Sequence, residues 1–176
     1  MTNPEQGLAR LLPQGGSQGL FVLGGLRLRC ALGKGGIRHA TEKREGDGAT
    51  PAAVMPLRRV FYRADRGPPP RCTVAVEPLS PGDGWCDDAG DRAYNRPVPL
   101  PFGGSHEKLW RDDALYDVIG VLGWNDAPVE RHRGSAIFLH VARPDYAPTE
   151  GCIALAPRDL RTVLEAGLRG VEVLLA

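Results

Sequence analysis

Two residues in this sequence have the types and spacing of a nucleophile and its base. His140 closes the apolar run Gly134-Ser135-Ala136-Ile137-Phe138-Leu139, and Cys152 follows Gly151 in Thr149-Glu150-Gly151-Cys152-Ile153-Ala154-Leu155, with eleven residues between His and Cys. An imidazole at the end of one strand and a Gly-Cys step at the start of the next can fold back to face one another. A thiol reacts as the thiolate, and a neighbouring His is expected to pull its pKa down from about 8.5 by several units. His140 would be the base. Gly151 lets the backbone come close to a reacting carbonyl, and the amides of Gly151 and Cys152 are expected to hold the oxyanion, where one donor is worth roughly 2.7 to 4 kcal/mol of barrier. The chemistry such a pair would carry is nucleophilic attack on a carbonyl.

Other polar residues offer less. Asp87 and Asp88 carry charge that suits an ammonium group, with Trp85, Tyr94 and Asn95 shaping a pocket; they read equally well as turn residues on a solvated loop. The remaining cysteines, Cys30, Cys72 and Cys86, form no C-x-x-C or C-x-x-H pair with one another or with Cys152, so no metal site is expected. Cys30 lies on a strand face and reads as core, while Cys72 and Cys86 are free to pair in an oxidising compartment. His39, His106 and His132 sit among charged or turn residues and read as surface histidines. Arg131 and Arg133 flank a turn on what reads as a solvated face.

These residues need a scaffold, and composition indicates its class. At 176 residues the chain fits one domain, and 42% hydrophobic residues suffice for a core. The 23 glycines and 16 prolines argue against a helical bundle and for strands joined by turns and long loops. A net charge of +1 gives no overall field for nucleic acid or an anionic membrane. No apolar run approaches the roughly 18 residues of a membrane span.

Along the chain, Gly19 to Leu32 reads as a hairpin around Gly24-Gly25, with residues 1–18 as a loosely ordered extension. Gly33 to Pro56 reads as a loop, and Leu57–Arg63 and Thr73–Val76 as short strands. Pro78 to His106 reads as a long irregular loop packed on the domain. Tyr116–Gly123 and Ser135–His140 read as two apolar strands, buried on both faces or nearly so. After Cys152 a short strand leads to a helix over about 157–169, started by Pro157 and stopped by Gly170, and Val171–Leu175 closes the sheet.

The His and Cys segments together resemble the L,D-transpeptidase (YkuD-like) catalytic motif, in which a strand-end His precedes a Ser/Thr-x-Gly-Cys element. The G-S-A-I-F-L-H strand is similar to a short subgroup of that family. Ala31 to Gly35 with Thr50-Pro51 resembles the family's first strand and Thr-Pro turn. Gly84 to Asp88, Tyr94 to Arg96 and Trp110 to Asn125 resemble the subgroup's middle. The likeness spans Cys30 to Ala176. The sequence departs from it at Glu150, where many members carry His, at Ala154, where many carry Arg, and at Val141, where others carry a small or hydroxyl residue.

The resemblance implies a mainly β fold, an L,D-transpeptidase-like sandwich or barrel with one helix after the catalytic Cys. It implies Cys152 as nucleophile, His140 as base, and a peptidoglycan stem peptide as substrate, cut between a diamino acid and a terminal D-alanine. Thr149 belongs to the motif and is expected on the substrate side with Trp85, Asp87, Asp88, Tyr94 and Asn95. An amine acceptor makes the enzyme a transpeptidase. Water makes it an L,D-carboxypeptidase, for example on recycled muropeptides. The departures at Glu150 and Ala154 keep a non-catalytic peptide-binding module in view, and a thiol sensor with Cys86 as resolving partner is a third reading. No cofactor is expected, and the protein is expected to be a monomer. The start of the chain lacks a signal-peptide pattern, which points to the cytoplasm; an incomplete N-terminus would point to the periplasm or cell wall.

Overall fold

The computed structural model describes residues 6–175. Fourteen strands and one helix follow in the order β1 (Leu8–Pro13), β2 (Gln18–Leu23), β3 (Leu26–Ala31), β4 (Ile37–His39), β5 (Thr50–Ala52), β6 (Val54–Tyr62), β7 (Val76–Pro78), β8 (Asp83–Cys86), β9 (Pro97–Pro99), β10 (His106–Lys108), β11 (Val118–Leu122), β12 (Phe138–Val141), β13 (Ile153–Leu155), α1 (Pro157–Glu165) and β14 (Gly170–Val173). The fold is mainly β, as the composition and the resemblance led one to expect.

The main sheet closes on itself. Its order β11-β12-β13-β3-β2-β1-β14-β6 returns to β11 through the β6–β11 pairing, and β7 extends from β6. Closure leaves eight strands around one interior filled by Leu11, Phe21, Met55, Val60, Leu139, Val141, Ile153, Leu155 and Val171. The hairpin around Gly24-Gly25 is present as β2 and β3. Residues 8–18 are not a loose extension, because β1 lies between β2 and β14 and completes the barrel wall. The part of that expectation concerning residues 1–5 lies outside the described residues.

Three further expectations change. The stretch from Pro78 to His106 is less irregular than its composition suggested. It contains β8 and β9, which join β10 in a three-stranded sheet, β10-β8-β9. Runs of three or four residues are too short for an alternating pattern to register, and Pro97 and Pro99 sit on the edge strand, where a missing N–H is tolerated. The loop after β3 likewise holds a short parallel ribbon, β4 with β5. The strand expected at Thr73–Val76 lies later, as β7 at Val76–Pro78.

The helix stops at Glu165, earlier than expected, and Gly170 begins β14 rather than ending the helix. Gly167 adopts φ 91°. Its N–H reaches the Leu164 carbonyl at 3.1 Å, and the Leu168 N–H reaches that of Val163 at 3.2 Å. These two bonds are a Schellman cap with Gly167 at the left-handed position. Leu160, Val163, Leu164 and Leu168 join the barrel's interior cluster, so α1 packs against that core.

Candidate active site

β12 and β13 run parallel, with His140 opposite Ala154 and Leu139 opposite Ile153. Alternation sends Leu139, Val141, Ile153 and Leu155 into the barrel. Phe138 and Cys152 face outward into a second apolar cluster with Trp85, Leu109, Tyr116, Ile119 and Val121. Burial on both faces explains why these strands are apolar apart from His140. Cys152 lies two residues before Ala154, on the face that His140 shares. Both residues line one cavity of about 200 Å³ with Glu107, Arg111, Tyr116, Arg143, Thr149 and Glu150.

The turn before β12 holds the sulfur. Ser135 to Ile137 are not extended as expected, because Gly134 and Ala136 take φ 104° and 51°. This brings the Ala136 carbonyl to 3.3 Å from Cys152 Sγ, where it accepts the thiol proton, and the Phe138 N–H donates to Sγ at 3.3 Å. The turn is held in place by Asn95. Its Oδ1 accepts from the Trp85 indole at 3.1 Å and the Ala136 amide at 3.1 Å, and its Nδ2 donates to the carbonyls of Trp124 and Asn125. Tyr94 donates to Glu45 at 2.6 Å and accepts from the Gly134 N–H.

Gly151, the residue before Cys152, is fixed equally firmly. Gly151 has φ 137°, and a Cβ there would lie 2.9 Å from the Ala49 carbonyl oxygen. Thr50 donates to the Gly151 carbonyl at 2.9 Å and accepts the Gly33 N–H at 3.0 Å. A Cβ on Gly33 would come within 2.9 Å of Gly151 Cα, so the two backbones pass in contact. The Gly151 N–H is taken by Thr149 Oγ1 at 3.1 Å, and the Thr149 hydroxyl donates to the Cys152 carbonyl at 2.7 Å. Of the two amides expected to serve an oxyanion, Gly151's is therefore already engaged.

His140 is buried, at 6% exposure, against the edge of Tyr116, with ring centroids 5.3 Å apart. Nδ1 lies 2.9 Å from the Val141 carbonyl. A carbonyl only accepts, so Nδ1 carries the proton and Nε2 keeps its lone pair. With Val141 in place of a hydroxyl residue, the backbone supplies the orienting acceptor. Burial pushes the imidazole pKa down to about 4.

Contrary to expectation, the thiol is not acidified by its neighbour. Burial first, and Glu107 second, push the Cys152 pKa up, against the lowering effect of the Phe138 N–H. The Cys152 thiol and the His140 imidazole both rest neutral at pH 7. Glu150 turns away to a Lys34 ion pair at 2.8 Å, with its side chain 74% exposed, and is a minor influence on the thiol.

Of the other residues singled out from sequence, Thr149 lines the Cys152 cavity. Trp85 and Asn95 line a separate cavity with Trp124, Arg96 and Phe138. Asp88 accepts the Gly90 N–H at 2.9 Å in a turn, and Asp87 has a buried carboxyl oxygen without a partner. Cys30, Cys72 and Cys86 are free thiols, as is Cys152. Sequence reasoning missed Glu107, Arg111 and Arg143 and took Tyr116 only as part of a strand. Nothing in the spacing of these residues relates them to Cys152, because the topology alone brings them together.

A model of the L,D-transpeptidase catalytic domain (YkuD) matches residues 12–174. The chain belongs to that family. No curated protein and no solved structure matches it. Membership makes this an enzyme of L,D-transpeptidase type that acts on peptidoglycan. Among the described residues no helix is long and apolar enough to cross a membrane.

Proposed function

We propose that the protein is a cysteine acyltransferase of peptidoglycan tetrapeptide stems. The observation that carries this reading is the placement of Cys152 and His140 on one outward face of β12 and β13, lining the same cavity. The thiol attacks the carbonyl between the diamino acid and the terminal D-alanine, and Nε2 of His140 takes the thiol proton as the C–S bond forms. The Cys152 amide, just outside the paired part of β13, donates to the oxyanion. Gly151 and Thr149 hold the turn that aims it. Collapse of the tetrahedral intermediate breaks the C–N bond, His140 returns the proton to the departing amine, and D-alanine leaves a thioester on Cys152. An amine from a second stem then completes transpeptidation.

Water in place of that amine gives an L,D-carboxypeptidase, and the size of the site favours this second outcome. About 200 Å³ is below the usual 300 to 1,000 Å³ of a ligand pocket, leaving little enclosed space for an acceptor stem. A cytoplasmic location would make recycled muropeptides its substrate. Mass spectrometry of the protein incubated with a tetrapeptide stem, with and without an acceptor amine, tests the reading. The expected result is an acyl adduct on Cys152 with release of D-alanine, absent in Cys152→Ala. D-alanine release at the wild-type rate by Cys152→Ala would overturn it.

A further inference from the structure

The cavity beside Cys152 contains a carboxyl group to which the proposed acyl transfer gives no task. Glu107 pairs with Trp85 across β10 and β8. Residues opposite one another in an antiparallel pair leave the sheet on the same face. Here it is the face turned to the barrel, where Trp85 packs edge-on against Phe138 at 5.2 Å. The Tyr116 hydroxyl donates to Glu107 Oε2 at 3.0 Å. Among the described residues Oε1 accepts no hydrogen bond, and Glu107 forms no ion pair. Of the two cations that line the cavity, Arg111 is held by Asp113 through bonds of 2.8 and 2.6 Å, and Arg143 forms no ion pair with Glu107.

A second carboxyl is unmet nearby. The pairing of β8 with β10 continues through the Asp87 N–H to the Ser105 carbonyl, and Asp87 Oδ1 is buried without a partner. Burial first, and the nearby Asp87 after it, push the Glu107 carboxyl up, against the lowering effect of the Tyr116 hydroxyl and of Arg111. A negative charge on Glu107 also opposes the negative charge that Cys152 must develop during attack. A cation brought in from outside relieves both conflicts.

We propose that Glu107 is the specificity-determining residue of this site. Its carboxylate binds a primary ammonium group of the peptide substrate, and the resulting ion pair offsets the negative charge that faces the attacking sulfur. The assignment rests on the acyl-transfer reading and adds to it which stems are taken: those whose diamino acid keeps a free side-chain amine.

Two tetrapeptide stems that differ only in a free or acetylated side-chain amine on the diamino acid test this by D-alanine release. The enzymes compared are wild type and Glu107→Gln, whose amide keeps the shape of the side chain. Wild type should favour the free amine roughly tenfold or more in kcat/KM, the value of an ion pair in a water-poor site. Glu107→Gln should lose that preference, and its Cys152 should react faster than wild type with iodoacetamide at pH 7.5. Indifference of wild type to acetylation, or a preference retained in Glu107→Gln, overturns the proposal. The wild-type comparison needs no variant to fold. If wild type releases D-alanine from neither stem, the acyl-transfer reading is what fails. The alkylation measurement then decides alone, and an unchanged rate in Glu107→Gln overturns the coupling of Glu107 to the thiol.

Discussion

At the scale of single residues, the pair that defines the site rests uncharged, with pH consequences that can be measured. His140 is held neutral in the fold down to about pH 4, whereas an unfolded chain protonates it near 6.5. Between those values the unfolded state binds the extra proton, so stability is full above pH 6.5 and falls as the pH drops. The loss attributable to His140 should reach about 3 kcal/mol at pH 4. Glu107, whose carboxyl is raised by burial, acts in the opposite sense as the pH rises above its unfolded value, so the imidazole must be isolated by difference. Urea titrations across this range should show the acid slope in wild type and its reduction in His140→Asn. A second outcome concerns the nucleophile. With the Cys152 thiol raised, its alkylation by iodoacetamide should climb about tenfold per pH unit from pH 6 to 9 without a plateau. Peptide mapping would separate it from the half-buried Cys72. A plateau beginning near pH 5 would instead mean a resting thiolate–imidazolium pair.

At the scale of elements, the Gly-Cys turn is held by residues beside β3 and in β5 as well as by its own strand. Thr50 joins Gly33 to Gly151 through one buried hydroxyl. Thr50→Val keeps the shape but leaves an N–H and a carbonyl without partners, which should cost about 2 to 4 kcal/mol. A lower urea midpoint at unchanged slope would show it. The strands of this region were legible in sequence because burial on both faces makes β11, β12 and β13 apolar apart from His140, and the Gly-Cys step marked where β13 begins. The turn at Gly134–Ala136 was not legible. Its form depends on the Asn95 amide, which is distant in sequence and satisfied only in the fold. The β8–β10 sheet was missed for a similar reason: its strands are short, and its pairings are set by the barrel face beneath it. Glu107 went unseen along with that sheet.

At the scale of the whole molecule, the closed barrel makes each wall strand necessary to both neighbours. β1 joins β2 to β14, and a chain lacking residues 1–13 would expose the edges of both. Exposed edges invite pairing with other chains. Such a truncation should therefore lose cooperative unfolding and aggregate, as calorimetry and light scattering would show. That a short N-terminal run without a long apolar stretch belongs to the barrel could not be read locally, because its pairing partner β14 lies at the far end of the sequence. The same pairing has a mechanical side. β1 and β14 run parallel, from Leu8 beside Gly170 to Leu11 beside Val173, with Arg10 bridged to Glu172 at 3.2 Å. Tension entering before Leu8 and leaving after Val173 would drag these strands lengthwise past one another, loading their bonds together instead of peeling them apart singly, as a shear clasp does.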